Sequence, residues 1–198
     1  IQLSAERLRR KYGKTITEDR AIFEQCTDTI VRQVDDIRRM VDEFSRYARM
    51  PGPQLAATAI EGLVSEVVAL YRDVKPGVAI RTELAPGIGE VWVDPEQLRR
   101  VLIKLLDNAL EATEPSGDVA VRGERRGERL ILEVADEGSG IATEDRGKLF
   151  LPFFSRKKRG TGMGLAIVHR IVSDHNGTIR VSENRPRGSV FTLELPAR

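Results

Sequence analysis

The sequence predicts an α+β chain: a helical hairpin followed by an α/β sandwich. Three observations carry this. From Phe23 to Ala48, apolar residues recur every three or four positions without a break. Pro51-Gly52-Pro53 then stops any helix and marks a linker. Beyond it, apolar runs of strand length alternate with amphipathic helical stretches, the pattern of helices layered on one face of a mixed sheet. The expected divisions are 1–50 for the helical part, 51–53 for the linker and 54–198 for the sandwich.

The elements follow in order. Ile1, Ala5, Leu8 and Tyr12 share one face of a first helix, which Gly13 ends as a C′ residue. Thr17 suits the N-cap of a second helix over about 18–49, roughly 48 Å long at 1.5 Å per residue. Its stripe of Phe23, Cys26, Ile30, Val34, Ile37, Val41, Phe44 and Ala48 is a heptad-like seam flanked by Asp, Glu and Arg. A helix that long cannot bury its seam alone. The pattern predicts an antiparallel pairing with the first helix and the same pair from a second chain, a homodimer. A monomeric hairpin packed on the following domain is the alternative.

After the linker, 59–72 reads as an amphipathic helix, and Val78–Leu84 and Glu90–Val93 read as strands. A helix over 95–113 has Asp94 as cap and Pro95 in its first turn. Residues 118–122 and 129–135 read as strands joined by a hairpin at Arg126-Gly127. Residues 142–159 are polar and poorly periodic. A helix over 164–175 and strands Thr178–Glu183 and 190–195 complete the chain.

Composition narrows the function. With 40% hydrophobic and 31% charged residues, a full core coexists with a heavily charged surface. A net charge of +2 gives no reason to expect nucleic acid. No apolar run approaches the roughly 18 residues of a membrane span, and no signal peptide is visible. The single Cys26 excludes an internal disulfide and fits a reducing compartment. Two histidines and one cysteine argue against a structural zinc site. The chain opens at Ile1 already in helical sequence, so we expect it to be part of a longer protein.

Four stretches could carry chemistry. Gly160-Thr161-Gly162-Met163-Gly164-Leu165 follows the basic run Arg156-Lys157-Lys158-Arg159 and opens a helix. Glycines let a backbone approach a ligand closely, and a helix start offers free N–H groups and the positive dipole end to phosphate. A flexible loop beside a solvated charge run is the plainer alternative. On the helix 95–113, Leu98, Val101, Leu102, Leu105 and Ala109 form the buried stripe, with Lys104, Asn108 and Glu111 on a neighbouring one. Asn is a poor mid-helix residue, and its amide oxygen is a hard ligand suited to Mg²⁺ beside phosphates. Asp136-Glu137-Gly138-Ser139-Gly140 follows an apolar strand, where a carboxylate can accept from an exocyclic amine and the glycines allow a sharp turn. Leu149-Phe150-Leu151-Pro152-Phe153-Phe154 holds half of the chain's six phenylalanines, as a lid anchored by packing or a small satellite core would.

In that order and spacing the four stretches resemble the ATP-binding domain of sensor histidine kinases. The N box is Leu105-Leu106-Asp107-Asn108-Ala109-Leu110-Glu111-Ala112, followed by the G1 box at 136–140, the F box at 149–154 and the G2 box at 160–165. Asp174-His175-Asn176-Gly177 and Gly188-Ser189-Val190-Phe191 continue the likeness, which covers roughly 54–197. Residues 1–12 resemble the stretch just after the phosphoacceptor in nitrogen-regulation sensors of the NtrY type. The resemblance implies a sandwich of the GHKL (Bergerat) type, with ATP and Mg²⁺ as cofactors. It implies that Asn108 holds Mg²⁺ and that Asp136 accepts from the adenine amino group, with Ser189 supporting it directly or through water. Gly138 and Gly140 would shape the base pocket. Gly160, Thr161, Gly162, Met163, Gly164 and Leu165 would form the phosphate loop under a mobile lid, with Lys157 adding charge near the γ-phosphate. The implied partners are a second copy of the chain and the receiver domain of a response regulator. The implied setting is the cytoplasmic portion of a bacterial sensor whose membrane anchor lies outside these residues.

Two departures stand out. The phosphoacceptor histidine is absent and would belong just before Ile1; His169 and His175 fall inside the ATP domain. His169 reads as packing or surface, and His175 as a helix-end residue favoured by the dipole. The chain alone is therefore expected not to autophosphorylate. Second, the family usually has an Asn four residues before Asn108, where this sequence has Lys104, which could add charge neutralisation or displace Mg²⁺. Related ATPases carry a general-base Glu there, and Lys104 cannot take a proton at neutral pH at its ordinary pKa. A nucleotide-sensing dimerisation module without transfer, and an ATPase of the same fold, remain alternatives.

Overall fold

The structure is a computed structural model that describes residues 1–16, 18–72, 74–113, 115–157 and 160–197. Thr17, Lys158 and Arg159 lie outside the described residues. The chain divides into two compact units: Ile1–Met50 with Ser155–Met163, and Pro51–Phe154 with Gly164–Arg198.

The first unit is a helical hairpin. Helix α1 spans Gln2–Tyr12 and α2 spans Arg20–Ala48. Ala5 of α1 and Thr27 of α2 are the buried contacts, and an ion pair links Arg9 to Asp28. Gly13 ends α1 in right-handed geometry, φ −61°, so no left-handed C′ turn forms. Asp19, at φ 58°, precedes α2 and makes no side-chain cap. The seam predicted along α2 exists but is largely uncovered: Ile30 is 42%, Ile37 59%, Val41 56% and Phe44 45% exposed.

The second unit holds the sheet. Strands β1 (Ala56–Ala59) and β3 (Glu90–Val93) form an antiparallel pair, Ala56 opposite Val93 and Ala59 opposite Glu90. Three alanines, poor strand formers, outweigh the single strand-favouring Thr58, so this pairing was invisible in the sequence. It takes Ala59 from the expected 59–72 helix, and the helix formed is α3, Ile60–Ala69. The main sheet runs β2-β4-β5-β7-β6, from Val78–Leu84, Gly117–Arg126, Arg129–Asp136, Ser189–Pro196 and Thr178–Glu183 respectively. The pair β2–β4 is parallel and the other neighbours are antiparallel. Strand β4 outruns the expected 118–122, because pairing with β5 carries charged Glu124, Arg125 and Arg126 into the ladder.

Helices α4 (Pro95–Ala112) and α6 (Gly164–Asp174) cover one sheet face, and one short turn of helix, α5 (Thr143–Arg146), interrupts the long polar segment. The predicted stripe of α4 is buried throughout: Leu98, Val101, Leu102, Leu105 and Ala109. The helix packs against α6 and against β4 and β5, and Val168, Ile171 and Val172 of α6 are likewise buried. Asp94 caps α4, its Oδ1 accepting from the Gln97 amide at 3.0 Å. Its Oδ2 accepts from the Gln54 amide at 2.9 Å, and Gln97 Nε2 donates to the Pro51 carbonyl at 3.3 Å. The linker is thus tied to the start of α4. No helix among the described residues is long and apolar enough to cross a membrane.

His175 follows directly on the end of α6, as the sequence reading has it, and is buried there. Its Nε2 accepts the Asp94 amide at 3.0 Å and its Nδ1 lies 2.8 Å from the Ile171 carbonyl. A ring that accepts at Nε2 and meets a carbonyl at Nδ1 carries its proton on Nδ1 and is neutral. His175 therefore joins the end of α6 to the start of α4. His175→Ala strands the Asp94 amide and should cost about 1–3 kcal/mol of unfolding free energy, measured by urea denaturation.

Candidate functional site

The site is built where β5 ends. Asp136 is 3% exposed, and its Oδ1 accepts from the Gly138 amide at 2.9 Å and the Ser189 amide at 3.3 Å. Ser189 thus supports it through its backbone, because sheet register places Ser189 opposite Asp136. Burial pushes the Asp136 carboxyl above its ordinary value, against the two amides that pull it down. Oδ2 accepts no hydrogen bond among the described residues, where the only fully buried side-chain polar atom lacking a partner is Gln97 Oε1. That oxygen is open to an outside donor.

The turn after Asp136 packs on the end of α4. A Cβ on Gly138 would stand 2.5 Å from the backbone of Ala112, and the Ser139 amide donates to the Ala112 carbonyl at 3.1 Å. The Asp136 carbonyl accepts from Asn184 Nδ2 at 2.8 Å, and Gly188 presses on that same carbonyl. Gly140, at φ 73°, lies on the other side of Gly188. Asp136, Gly138, Gly140 and Ser189 are therefore one constellation. Asn184 and Gly188 belong to its frame, and nothing in Glu183-Asn184-Arg185-Pro186 marks Asn184 as more than a loop residue.

Helix α4 presents Lys104 and Asn108 one turn apart on a half-buried face. The opposite flank is held from α3 and beyond. The Tyr71 hydroxyl donates to Asp107 at 2.7 Å, with the Ile103 carbonyl at 3.2 Å, and Lys75 Nζ donates to the Leu110 carbonyl at 2.8 Å. Burial, and Asp107 beside it, push the Tyr71 hydroxyl far above its usual value, so it remains a donor. The stem of Lys104 reaches the start of α6: its Cδ is 3.9 Å from where a Cβ on Gly164 would lie. Leu165 follows, half-buried.

The rest of the glycine loop is described with the helical unit. There the Thr161 hydroxyl donates to the Glu43 carboxylate of α2 and accepts from the Met163 amide at 3.4 Å. Gly160 sits against Ser155, whose hydroxyl accepts from the Lys157 amide at 3.1 Å. Gly162 has φ 70° and Met163 is buried. Ser155–Met163 belongs to the same compact unit as Ile1–Met50. In the aromatic stretch, Phe150 stacks on the exposed His169 with ring centroids 5.4 Å apart, while Phe153 is 49% exposed.

A separate depression of about 220 Å³ on the uncovered sheet face is lined by Glu83, Arg122, Glu124 and Glu133 among others. Glu83 pairs with Arg122 at 2.8 Å and Glu124 with Arg126, while Glu133 accepts from the Thr192 hydroxyl at 3.0 Å.

Comparison with known proteins supports a nucleotide site. Residues 93–198 match the family described as histidine kinase-, DNA gyrase B-, and HSP90-like ATPase. The nitrogen regulation protein NtrY of Azorhizobium caulinodans is 41% identical over the whole chain, which spans 26% of that protein. The sensor histidine kinase ZraS of Escherichia coli is 32% identical over 87% of the chain, which spans 37% of that protein. Full-length ShkA in complex with AMPPNP aligns over 98% of the chain and 42% of its own length, with a TM-score of 0.72 and 27% identity. The chain belongs to the histidine kinase-, DNA gyrase B- and HSP90-like ATPases, as an ATP-binding kinase module of an NtrY-type sensor histidine kinase.

Proposed function

We propose that this module binds Mg-ATP, delivers the γ-phosphoryl group to a histidine on a helical domain, and serves relay to an aspartate of a response-regulator receiver domain. The observation that carries this is Asp136: a buried carboxylate fixed by two amides, with one oxygen left for the adenine amino group. Gly138 and Gly140 shape the turn around the base, and Ser189 steadies the carboxylate. Gly164 and Leu165 open α6, whose first amides and dipole suit phosphate. Gly160, Thr161, Gly162 and Met163, with Lys157, complete the phosphate loop in this proposal. The ATP analogue in the ShkA complex is of the same chemical class.

Asn108 is the residue whose amide oxygen would meet a Mg²⁺ entering with the phosphates. Among the described residues no group of three His, Cys, Asp or Glu could hold a metal by itself. The fit is to a metal held mainly by phosphate and water, as Mg²⁺ usually is. Such a metal supplies charge neutralisation at the β- and γ-oxygens. What this chain's residues do is bind, orient and neutralise, with little covalent work.

Neither histidine of this chain suits the acceptor role. His175 is buried with both ring nitrogens engaged, and His169 stacks on Phe150 on α6. The chain alone should therefore not autophosphorylate. The test supplies a separate helical domain bearing the acceptor histidine together with γ-labelled ATP. Label on that domain is the expected result. Silence alongside intact ATP binding would replace the kinase with a nucleotide-sensing module.

The uncovered α2 seam supports homodimerisation through the helical region, in the cytoplasmic part of a membrane-anchored bacterial sensor. Ile37→Asp, placing a charge in the middle of that seam, should shift the chain from dimer to monomer in sedimentation equilibrium. An unchanged mass would remove the seam from the interface.

A further inference from the structure

We infer that Lys104 acts as a built-in counter-cation for the nucleotide's phosphates, making ATP binding by this chain largely independent of divalent metal. The inference rests on the assignment of the site to ATP and goes beyond it to the metal dependence.

Exposed Arg100, Arg129 and Lys148 of the same unit make no ion pair among the described residues, whereas the more enclosed Arg99, Arg122 and Arg146 each pair with a carboxylate. Lys104 is half-buried, yet among the described residues it makes no ion pair and no hydrogen bond. Its stem is the part placed against the fold, and a lysine with no carboxylate partner leaves its ammonium available to an arriving anion. Two features say which anion. The stem of Lys104 lies against Gly164, the first residue of an eleven-residue helix, so the ammonium and the positive end of α6 share one neighbourhood. Asn108 lies one turn further along the same face of α4. A fixed positive charge, a helix start and an amide donor together favour a polyphosphate over a single carboxylate.

The same arrangement bears on the metal. A divalent ion at Asn108 would stand beside a fixed ammonium one helical turn away, and like charges at that spacing repel. The ammonium already neutralises part of the triphosphate. Metal therefore adds less to affinity here than at a site with a neutral side chain at position 104. Lys104 is a binding residue in this account, and no proton or bond moves through it.

The test is calorimetric titration of the chain with ATP in excess MgCl₂ and, separately, in excess EDTA. The variants are Lys104→Gln and Lys104→Arg, with circular dichroism confirming the fold of each. The native chain and Lys104→Arg should bind metal-free ATP within about threefold of Mg-ATP. Lys104→Gln should weaken metal-free ATP by about tenfold or more and make Mg-ATP the preferred ligand by a similar factor, the range expected for losing a charged hydrogen bond. A native chain that itself prefers Mg-ATP by about tenfold, or a Lys104→Gln variant with unchanged metal-free affinity, overturns the inference. Absence of binding in both conditions for the native chain would overturn the ATP site itself, and the inference with it.

Discussion

Asp136→Asn should abolish nucleotide binding while leaving the chain folded. The Asn oxygen can take the place of Oδ1 and accept the Gly138 and Ser189 amides, at 2.9 and 3.3 Å in the native protein. The Asn nitrogen would replace Oδ2 and turn a donor toward the adenine amino group, which is also a donor. A charged hydrogen bond is lost and a repulsion gained, so affinity should fall by at least about 100-fold, or ~2.7 kcal/mol. Titration with ATP measures it, and binding within a few-fold of native would remove Asp136 from the base pocket.

The same variant should show a pH-dependent stability difference of known sign. Burial raises the native Asp136 carboxyl above its model-compound value of 3.8. A carboxyl raised on folding favours the native state when protonated. That contribution is full below the unfolded value and is lost as pH rises through the native one. The Asn variant loses nothing over that range. At neutral pH its melting temperature should therefore match or exceed the native one, and the gap should move toward the native chain on acidification to about pH 4. A gap that grows in the variant's favour on acidification would contradict burial as the dominant influence on Asp136.

Gly188→Ala should be the most destabilising single change at the site. Gly188 has φ 104°, and a Cβ there would stand 1.8 Å from the Asp136 carbonyl oxygen and 3.0 Å from the Glu137 Cα. Both obstacles are backbone at the β5–β7 junction, so neither can rotate away. Backbone strain and overpacking together should cost about 3–5 kcal/mol. Because Asp136 is held from the same junction, nucleotide affinity should fall even at temperatures where the variant remains folded. Equal melting temperatures for variant and native chain would show that the junction yields, contrary to its close packing.

Much of this molecule was legible before folding. The stripe of α4 was readable because Leu98, Val101, Leu102, Leu105 and Ala109 repeat at helical spacing and all of them are buried. Asp94 and Pro95 announced that helix's start, and the order of Asn108, Asp136 and the glycine loop carried the family resemblance. Other features were not legible. Strand β1 is Ala-rich and becomes a strand only against β3. His175 read as a helix-end residue, and only the approach of the Asp94 amide shows it to be neutral. Ser189 read as supporting Asp136 directly or through water, and sheet register makes its backbone amide the donor.

By itself the sequence determined most element types, the buried stripe of α4 and the residue chemistry of the boxes. Those follow from periodicity, capping and composition within a few residues of each position. Tertiary structure alone decided which atom of Ser189 meets Asp136, how Asp94 is shared among the linker, α4 and His175, that Gly188 admits no Cβ, and that Thr161 bonds to Glu43. Each joins groups far apart along the chain, and a hydrogen bond or a steric limit between distant groups leaves no local pattern to read.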